Sequence, residues 1–118
     1  MDKEEFIKLI KSEVSDSSIE STIENLIDPP GRKPSAELLA QSEFYKSLSI
    51  ENKEIINKII SEAVSEAVFG FLCVLDGVRS ISKAGELNNL ELSHVSTAQK
   101  TLLNSEQGEY LHDIYNRA

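Results

Sequence analysis

The sequence predicts a mostly α-helical (α+β) fold: a helical bundle around one long central helix, with a small C-terminal β-hairpin and a short terminal helix. Apolar residues recur at helical spacing through most of the first 82 residues, turn-forming residues separate these segments, and shorter alternating segments follow Gly85. The length of 118 residues predicts a single helix-rich domain, residues 1–118, that buries a core without disulfides or metals.

The first 28 residues predict two helices, 2–14 and 17–27, separated by the segment SDSS. Phe6, Ile10 and Val14 recur every four residues, which places them on one face of the first helix. Each helix begins with a pattern typical of a capping box, D-x-x-E in the first and S-x-x-E in the second. These 28 residues hold three lysines against eight acidic residues, a net charge of −5.

The segment DPPGRKPS predicts an irregular connector, because proline disfavours helix at the residue before it. Ser35 then caps a predicted helix over 36–48, and Ser49 caps the long helix, predicted to run from 50 to about 82 with Gly85 as its stop. Such a helix is roughly 45 Å long, more than the width of a small domain. It must therefore kink near a glycine, project at one end, or pair with another chain.

Gly70 and Gly77 are seven residues apart, so a helix continuing past both would place them on one face. Glycine inside a helix costs about 1 kcal/mol relative to alanine, and close approach of another backbone would explain that cost. The neighbour would be another helix of this chain or a second protomer. Phe69 and Leu72 extend apolar surface around the back of the helix, and that surface needs a cover from the C-terminal elements or from a partner.

Asp76 is predicted opposite the main apolar stripe, with Arg79 three residues on and within reach of an ion pair. An exposed or half-exposed pair marking the edge of the core is favoured over a buried carboxylate in a functional pocket. We interpret six residues as candidate interaction positions: Phe69, Gly70, Leu72, Asp76, Gly77 and Arg79.

The segment 87–104 allows either a hairpin or a helix. The hairpin is favoured, because the Asn-Asn pair and the run from Ser93 to Thr97 are poor helix formers. The terminal segment EYLHDIYN predicts a short helix.

The net charge of −8 argues against nucleic acid and against an anionic membrane surface, and favours a basic protein partner. A single cysteine, Cys73, excludes an internal disulfide and is typical of a reducing compartment. No leader-like N-terminal pattern is present and no apolar run reaches membrane length, so a cytoplasmic protein is expected.

Catalytic and metal-binding patterns are absent from the sequence. Cys73 is expected to be a buried, inert thiol. His94 and His112 are the only histidines, and adjacent helical residues such as His112 and Asp113 are not expected to face each other. The chain has no H-E-x-x-H, C-x-x-C or phosphate-binding glycine loop. We therefore expect no catalytic residues, no metal and no cofactor.

The phrases FGFLCVLDGVRSI, KTLLN and YLHDIYN, with the connector PPGRKPS, resemble a group of short bacterial proteins of unassigned function. The resemblance covers roughly the second half of the chain and the connector. It favours the C-terminal hairpin and implies no activity. Some small acidic proteins are immunity proteins that neutralise toxins, an analogy of size and charge alone.

Two hypotheses follow and are compatible. In the first, the chain is a non-enzymatic protein-interaction module, with an immunity-type inhibitor of a basic partner as its concrete form. In the second, it is a homo-oligomeric structural or regulatory protein, such as a dimer packed across Gly70 and Gly77. An enzyme with an undetected site is the weakest alternative, and a pocket gathering Asp76, His94 or His112 with other polar groups would favour it.

Overall fold

A computed structural model describes residues 1–81 and 89–118, and it confirms a mostly α-helical fold with a small antiparallel hairpin. The elements are α1 (Lys3–Ile10), a π-helical segment (Lys11–Asp16), α2 (Ser17–Ile27), α3 (Ala36–Ser47), α4 (Ile50–Leu75), β1 (Ser93–Val95), β2 (Lys100–Leu102) and α5 (Leu111–Arg117).

The N-terminal helices differ from the prediction, because SDSS does not interrupt them. The backbone stays helical through a π-helical segment, and Asp16 has helical dihedral angles and makes no side-chain cap. Ser15 in this segment is buried and shares a 2.6 Å hydrogen bond with the Tyr115 hydroxyl of α5. Because this contact satisfies a buried hydroxyl, a serine is tolerated inside the helix. The start of α1 agrees with prediction: the Asp2 carboxylate accepts the Glu5 N–H at 2.9 Å.

The predicted caps of α3 and α4 are confirmed. The Ser35 hydroxyl accepts the Leu38 N–H, and the Ser49 hydroxyl accepts the Asn52 N–H, each at 3.2 Å. Each cap satisfies an N–H group that lacks a partner within its own helix.

The predicted C-terminal end of the long helix was wrong, since α4 ends at Leu75 and not near residue 82. Gly77 has a φ of +78°, the left-handed conformation that ends helices. The N–H groups of Gly77 and Val78 donate back to carbonyls of the last helical turn, at 3.1 and 3.0 Å. Gly77 is therefore the helix stop and is not part of a helical face. The predicted stop, Gly85, lies outside the described residues.

The predicted hairpin and terminal helix are both present. β1 and β2 pair antiparallel, with His94 opposite Thr101 and Val95 opposite Lys100. Asn104, just after β2, fixes this hairpin to α4. Its Nδ2 donates to the Leu75 carbonyl at 2.7 Å, and its Oδ1 accepts the Leu92 N–H at 2.8 Å.

The core lies where the C-terminal half of α4 meets α1 and α5. Its buried cluster consists of Ile7, Leu72, Leu111, Ile114 and Tyr115. By contrast, α2 contributes no buried residue and α3 buries only Ser42 and Tyr45. The Cα radius of gyration is 18.5 Å, whereas a compact domain of this length has about 13–14 Å. Much of the helical surface therefore lies away from the core.

Candidate functional site

Asp76 and His112 form a buried junction between the end of α4 and the start of α5. The Asp76 Oδ2 accepts the backbone N–H of His112 at 2.9 Å and the ring Nδ1–H at 2.7 Å. The Asp76 side chain is 0% exposed, and that of His112 is 13% exposed. Asp76 thus satisfies an N–H in the first turn of α5, whose own N-cap residue supplies no side-chain acceptor.

The other sides of the His112 ring are also occupied. Tyr110 stacks on the ring at 5.3 Å between centroids, and Phe69 meets it edge-on at 5.6 Å. Nε2 lies 3.4 Å from Oδ1 of Asp113. With Nδ1 hydrogen-bonded to Asp76 and two aromatic rings packed against it, this histidine is held in one orientation.

Three expectations for this region are therefore corrected. Asp76 is buried and not at an exposed edge, because α4 ends one residue before it and α5 packs over that end. His112 and Asp113 do approach each other, although they are adjacent in the helix. An ion pair between Asp76 and Arg79 was expected, because the two would lie three residues apart on a continuing helix. None of the ion pairs between described residues joins them.

Arg79 instead lies over Gly70. A Cβ atom added to Gly70 would collide with the Arg79 guanidinium, so the missing side chain makes room for this contact. The close neighbour of Gly70 is consequently a side chain that returns over the end of α4. It is not the backbone of a packed helix, which was the expectation.

Phe69 and Leu72 lie against other parts of the same chain. Leu72 is buried in the core cluster, and Phe69 packs beside it and against His112. Phe69, Gly70, Leu72, Asp76, Gly77 and Arg79 therefore gather at one junction. Their role in binding a partner stays a prediction.

Cys73 lies in the last turn of α4, two residues before its end, and is buried. Burial in apolar surroundings raises the pKa of its thiol, and the nearby Arg79 charge opposes that effect only in part. A raised pKa keeps the thiol protonated and weakly nucleophilic near neutral pH.

The described residues hold no group of three or more His, Cys, Asp or Glu side chains placed for a metal ion. His94 lies on β1, apart from the Asp76–His112 pair, and its Nδ1 is buried without a hydrogen-bond partner among the described residues. No described helix is both long and apolar enough to span a bilayer.

An apolar groove runs between the N-terminal helices and α4. Phe6, Ile10 and Val14 line it from the N-terminal helices, residues of α4 and Leu92 complete the lining, and its volume is about 350 Å³. Phe71 lines the groove and is 62% exposed. The described lining is entirely apolar, so the groove has no polar group to orient a small molecule but accommodates apolar side chains.

A second exposed surface lies near the start of α4. Ile55 and Ile59 are 57% and 54% exposed, and one helical turn separates them. Glu51, Glu54 and Glu62 lie beside them, and we call these five residues, together with Lys58, the acidic–apolar face. Exposed apolar residues grouped among charges are typical of protein contact surfaces.

Sequence reasoning missed the junction made by His112 and Asn104. Their partners, Asp76 and Leu75, lie 36 and 29 residues away in the chain. The usable signal was Gly77: an aspartate followed by glycine at the end of an apolar run fits a helix stop as well as a helical face.

Comparison with known proteins adds no assignment. A scan against protein-family models finds no match, and searches of curated proteins and of solved structures also find none.

Proposed function

We propose that this chain is a small, non-enzymatic protein-interaction module that binds a basic protein partner in the cytoplasm. An immunity-type inhibitor of a basic toxin is the concrete form. The observation that carries the proposal is the apolar surface that α4 leaves uncovered, at Ile55, Ile59 and Phe71. Burial of such surface is the main driving force for most protein association. The net charge of −8 adds attraction for a basic partner.

A homo-oligomeric protein is the alternative, because a second copy would cover the same apolar residues. The expected Gly70–Gly77 contact gives it little support, since Arg79 lies over Gly70 and Gly77 ends the helix. The exposed apolar residues of α4 are its better basis.

The Asp76–His112 pair resembles the acid–imidazole pairs of hydrolases, in which the carboxylate orients the ring. A general base also needs a free nitrogen within reach of a substrate proton. Here Nε2 faces Asp113, and Phe69 and Tyr110 cover the ring. These contacts favour a structural role over a catalytic one.

The test is co-purification from the native host at low salt, with wild-type protein and an Ile55→Gln/Ile59→Gln/Phe71→Gln variant as parallel baits. We expect a basic protein to be retained by wild type and lost from the variant. Analytical ultracentrifugation of the purified chain separates partner binding from self-association. A wild-type chain that is monomeric and retains no protein would contradict the proposal.

A further inference from the structure

We infer that the acidic–apolar face of α4 binds an amphipathic helix whose apolar residues are flanked by lysine or arginine. This inference rests on the proposed function and names the surface and the chemistry of the partner. It concerns Ile55, Ile59 and the charges around them, and it leaves the apolar groove at the other end of α4 aside.

The two isoleucines give the face its apolar centre. Residues four apart are neighbours on one helix face, so Ile55 and Ile59 form a short ridge inclined by about 26° to the axis. Their exposure of more than half means that α2 and α3 do not cover them. A second helix packs on such a ridge by placing its own i, i+4 residues in the adjacent grooves.

The charges around the ridge indicate the sign of the partner. Glu51, Glu54 and Glu62 stand against Lys58 alone, a net charge of −2. Lys58 lies 3.7 Å from Glu62 in an exposed pair, so it offsets part of that charge and leaves Glu51 and Glu54 unopposed within the face. Lysine or arginine beside the apolar residues of a partner would meet these two carboxylates.

The same charges disfavour a second copy as the occupant. An isologous dimer would place this face against itself and bring a net charge of −2 from each chain together. Like charges across an interface oppose association, and the chain as a whole is also acidic. A basic segment from a different protein avoids both the like charges across the face and the repulsion between two acidic chains.

The size of the face suits a helical segment. The twelve residues from Glu51 to Glu62 span about 17 Å along α4, roughly three turns. A crossing helix of similar length covers the ridge and its acidic edge together.

The probe is a synthetic, fluorescein-labelled amphipathic peptide of about 18 residues, with leucine on one face and lysine on the other. Its binding to the purified full chain is measured by fluorescence anisotropy at about 20 mM and about 300 mM salt. One variant, Ile55→Gln/Ile59→Gln, removes the ridge, and another, Glu51→Lys/Glu54→Lys, reverses the charge.

Matched controls lie near the hairpin, about 30 Å from Ile55 along α4. Val95→Gln removes an exposed apolar residue, and Glu91→Lys/Glu106→Lys changes the net charge as much as the acidic-face variant does. All of the replaced side chains are exposed, so folding is expected to persist and is checked by circular dichroism.

We expect each face variant to weaken peptide binding about tenfold or more, and each control less than about threefold. Binding by wild type should also weaken at the higher salt. Equal weakening by the two charge variants would show attraction by net charge alone and overturn the inference. The inference would also be overturned if the peptide did not bind. The same holds if the wild-type chain formed a dimer and the ridge variant were a monomer. If the peptide result overturns the inference but a Phe71→Gln single variant loses the partner captured from the host, the proposed function stands and the groove is its site.

Discussion

Asp76 joins two helix ends that lie far apart in the sequence. The residue follows the last residue of α4, and its Oδ2 accepts two N–H groups from His112 at the start of α5. Its Oδ1 is buried without a hydrogen-bond partner among the described residues. One carboxylate oxygen therefore carries the polar contact between α4 and α5.

We expect Asp76→Ala to lower the free energy of unfolding by about 2 kcal/mol, because two donors of His112 lose their acceptor in a buried site. Asp76→Asn should cost less, since its carbonyl oxygen still accepts one of the two bonds. Urea denaturation followed by circular dichroism measures both. Equal stability of wild type and Asp76→Ala would contradict this role.

The surroundings of Gly70 distinguish two explanations for a glycine within a helix: close approach of another backbone, and contact with a neighbouring side chain. The three atoms nearest to a Cβ at this position all belong to the guanidinium of Arg79, the far end of an exposed and flexible side chain. We expect Gly70→Ala to change stability by no more than about 1 kcal/mol, because gained helix propensity offsets the displaced contact.

Thermal unfolding of Gly70→Ala, alone and combined with Arg79→Ala, checks that expectation. With Arg79 removed, the alanine should stabilise the helix. A loss of several kcal/mol in both backgrounds would instead indicate a closely packed backbone at Gly70.

At the scale of elements, charged side chains hold α1 against the C-terminal part of the chain. Lys3 Nζ donates to the carbonyls of Ser105, Gln107 and Glu109 at 2.8, 2.9 and 3.0 Å. Arg117 of α5 bonds both carboxylate oxygens of Glu109 and also reaches Glu4 of α1. The α1–α5 contact is thus polar at its surface and apolar beneath, where Ile7 meets Ile114 in the core cluster.

The Arg117 contact predicts a loss of stability in acid. Hydrogen bonds from Arg117 hold the pKa of Glu109 below its usual value of 4.5. Because the pKa of Glu109 is lower in the folded state than in the unfolded state, its ionised form stabilises the fold. This contribution is fully present above the unfolded-state pKa of 4.5 and is lost as the pH falls through the folded-state pKa. Denaturation midpoints between pH 7 and pH 3 should therefore fall less in Glu109→Gln than in wild type. Glu106→Gln, an exposed control, should follow wild type; identical curves for all three would contradict the prediction.

At the scale of the whole molecule, burial is uneven. The cluster of Ile7, Leu72, Leu111, Ile114 and Tyr115 joins α1, α4 and α5, whereas α2 has no buried residue. Among the described residues, α3 makes two polar contacts with its neighbours: the Ser42 hydroxyl donates to the Leu26 carbonyl of α2 at 2.7 Å, and the Tyr45 hydroxyl donates to Asn57 of α4 at 2.8 Å. The high radius of gyration agrees with a structure in which one end holds the core.

We expect hydrogen exchange to be slowest in α5 and the C-terminal half of α4, and faster in α2 and α3. Local opening requires less free energy where few apolar side chains are buried. Exchange followed by mass spectrometry measures this difference. Equal protection in all of these helices would contradict the prediction. If the basic peptide slows exchange only in α4, the slowed residues locate its binding site.

The local elements were largely predictable from the sequence. The caps at Asp2, Ser35 and Ser49, the break at DPPGRKPS, the hairpin and the terminal helix were all predicted. Each depends on interactions between residues a few positions apart, so the sequence window contains the physics that forms it. The π-helical segment is one exception, because Ser15 is satisfied there by Tyr115, 100 residues away. The end of α4 is another, since the helix stops at Leu75 and was predicted to continue to about residue 82.

What the sequence by itself determined is therefore a set of helices and a hairpin, together with an acidic charge. The tertiary structure decided which surfaces those elements cover. Phe69 and Leu72 pack within the chain, Asp76 is buried by α5, and Ile55 and Ile59 are left exposed. The physical reason is that burial depends on which distant segment packs on each face. Helical periodicity identifies an apolar face but not its neighbour.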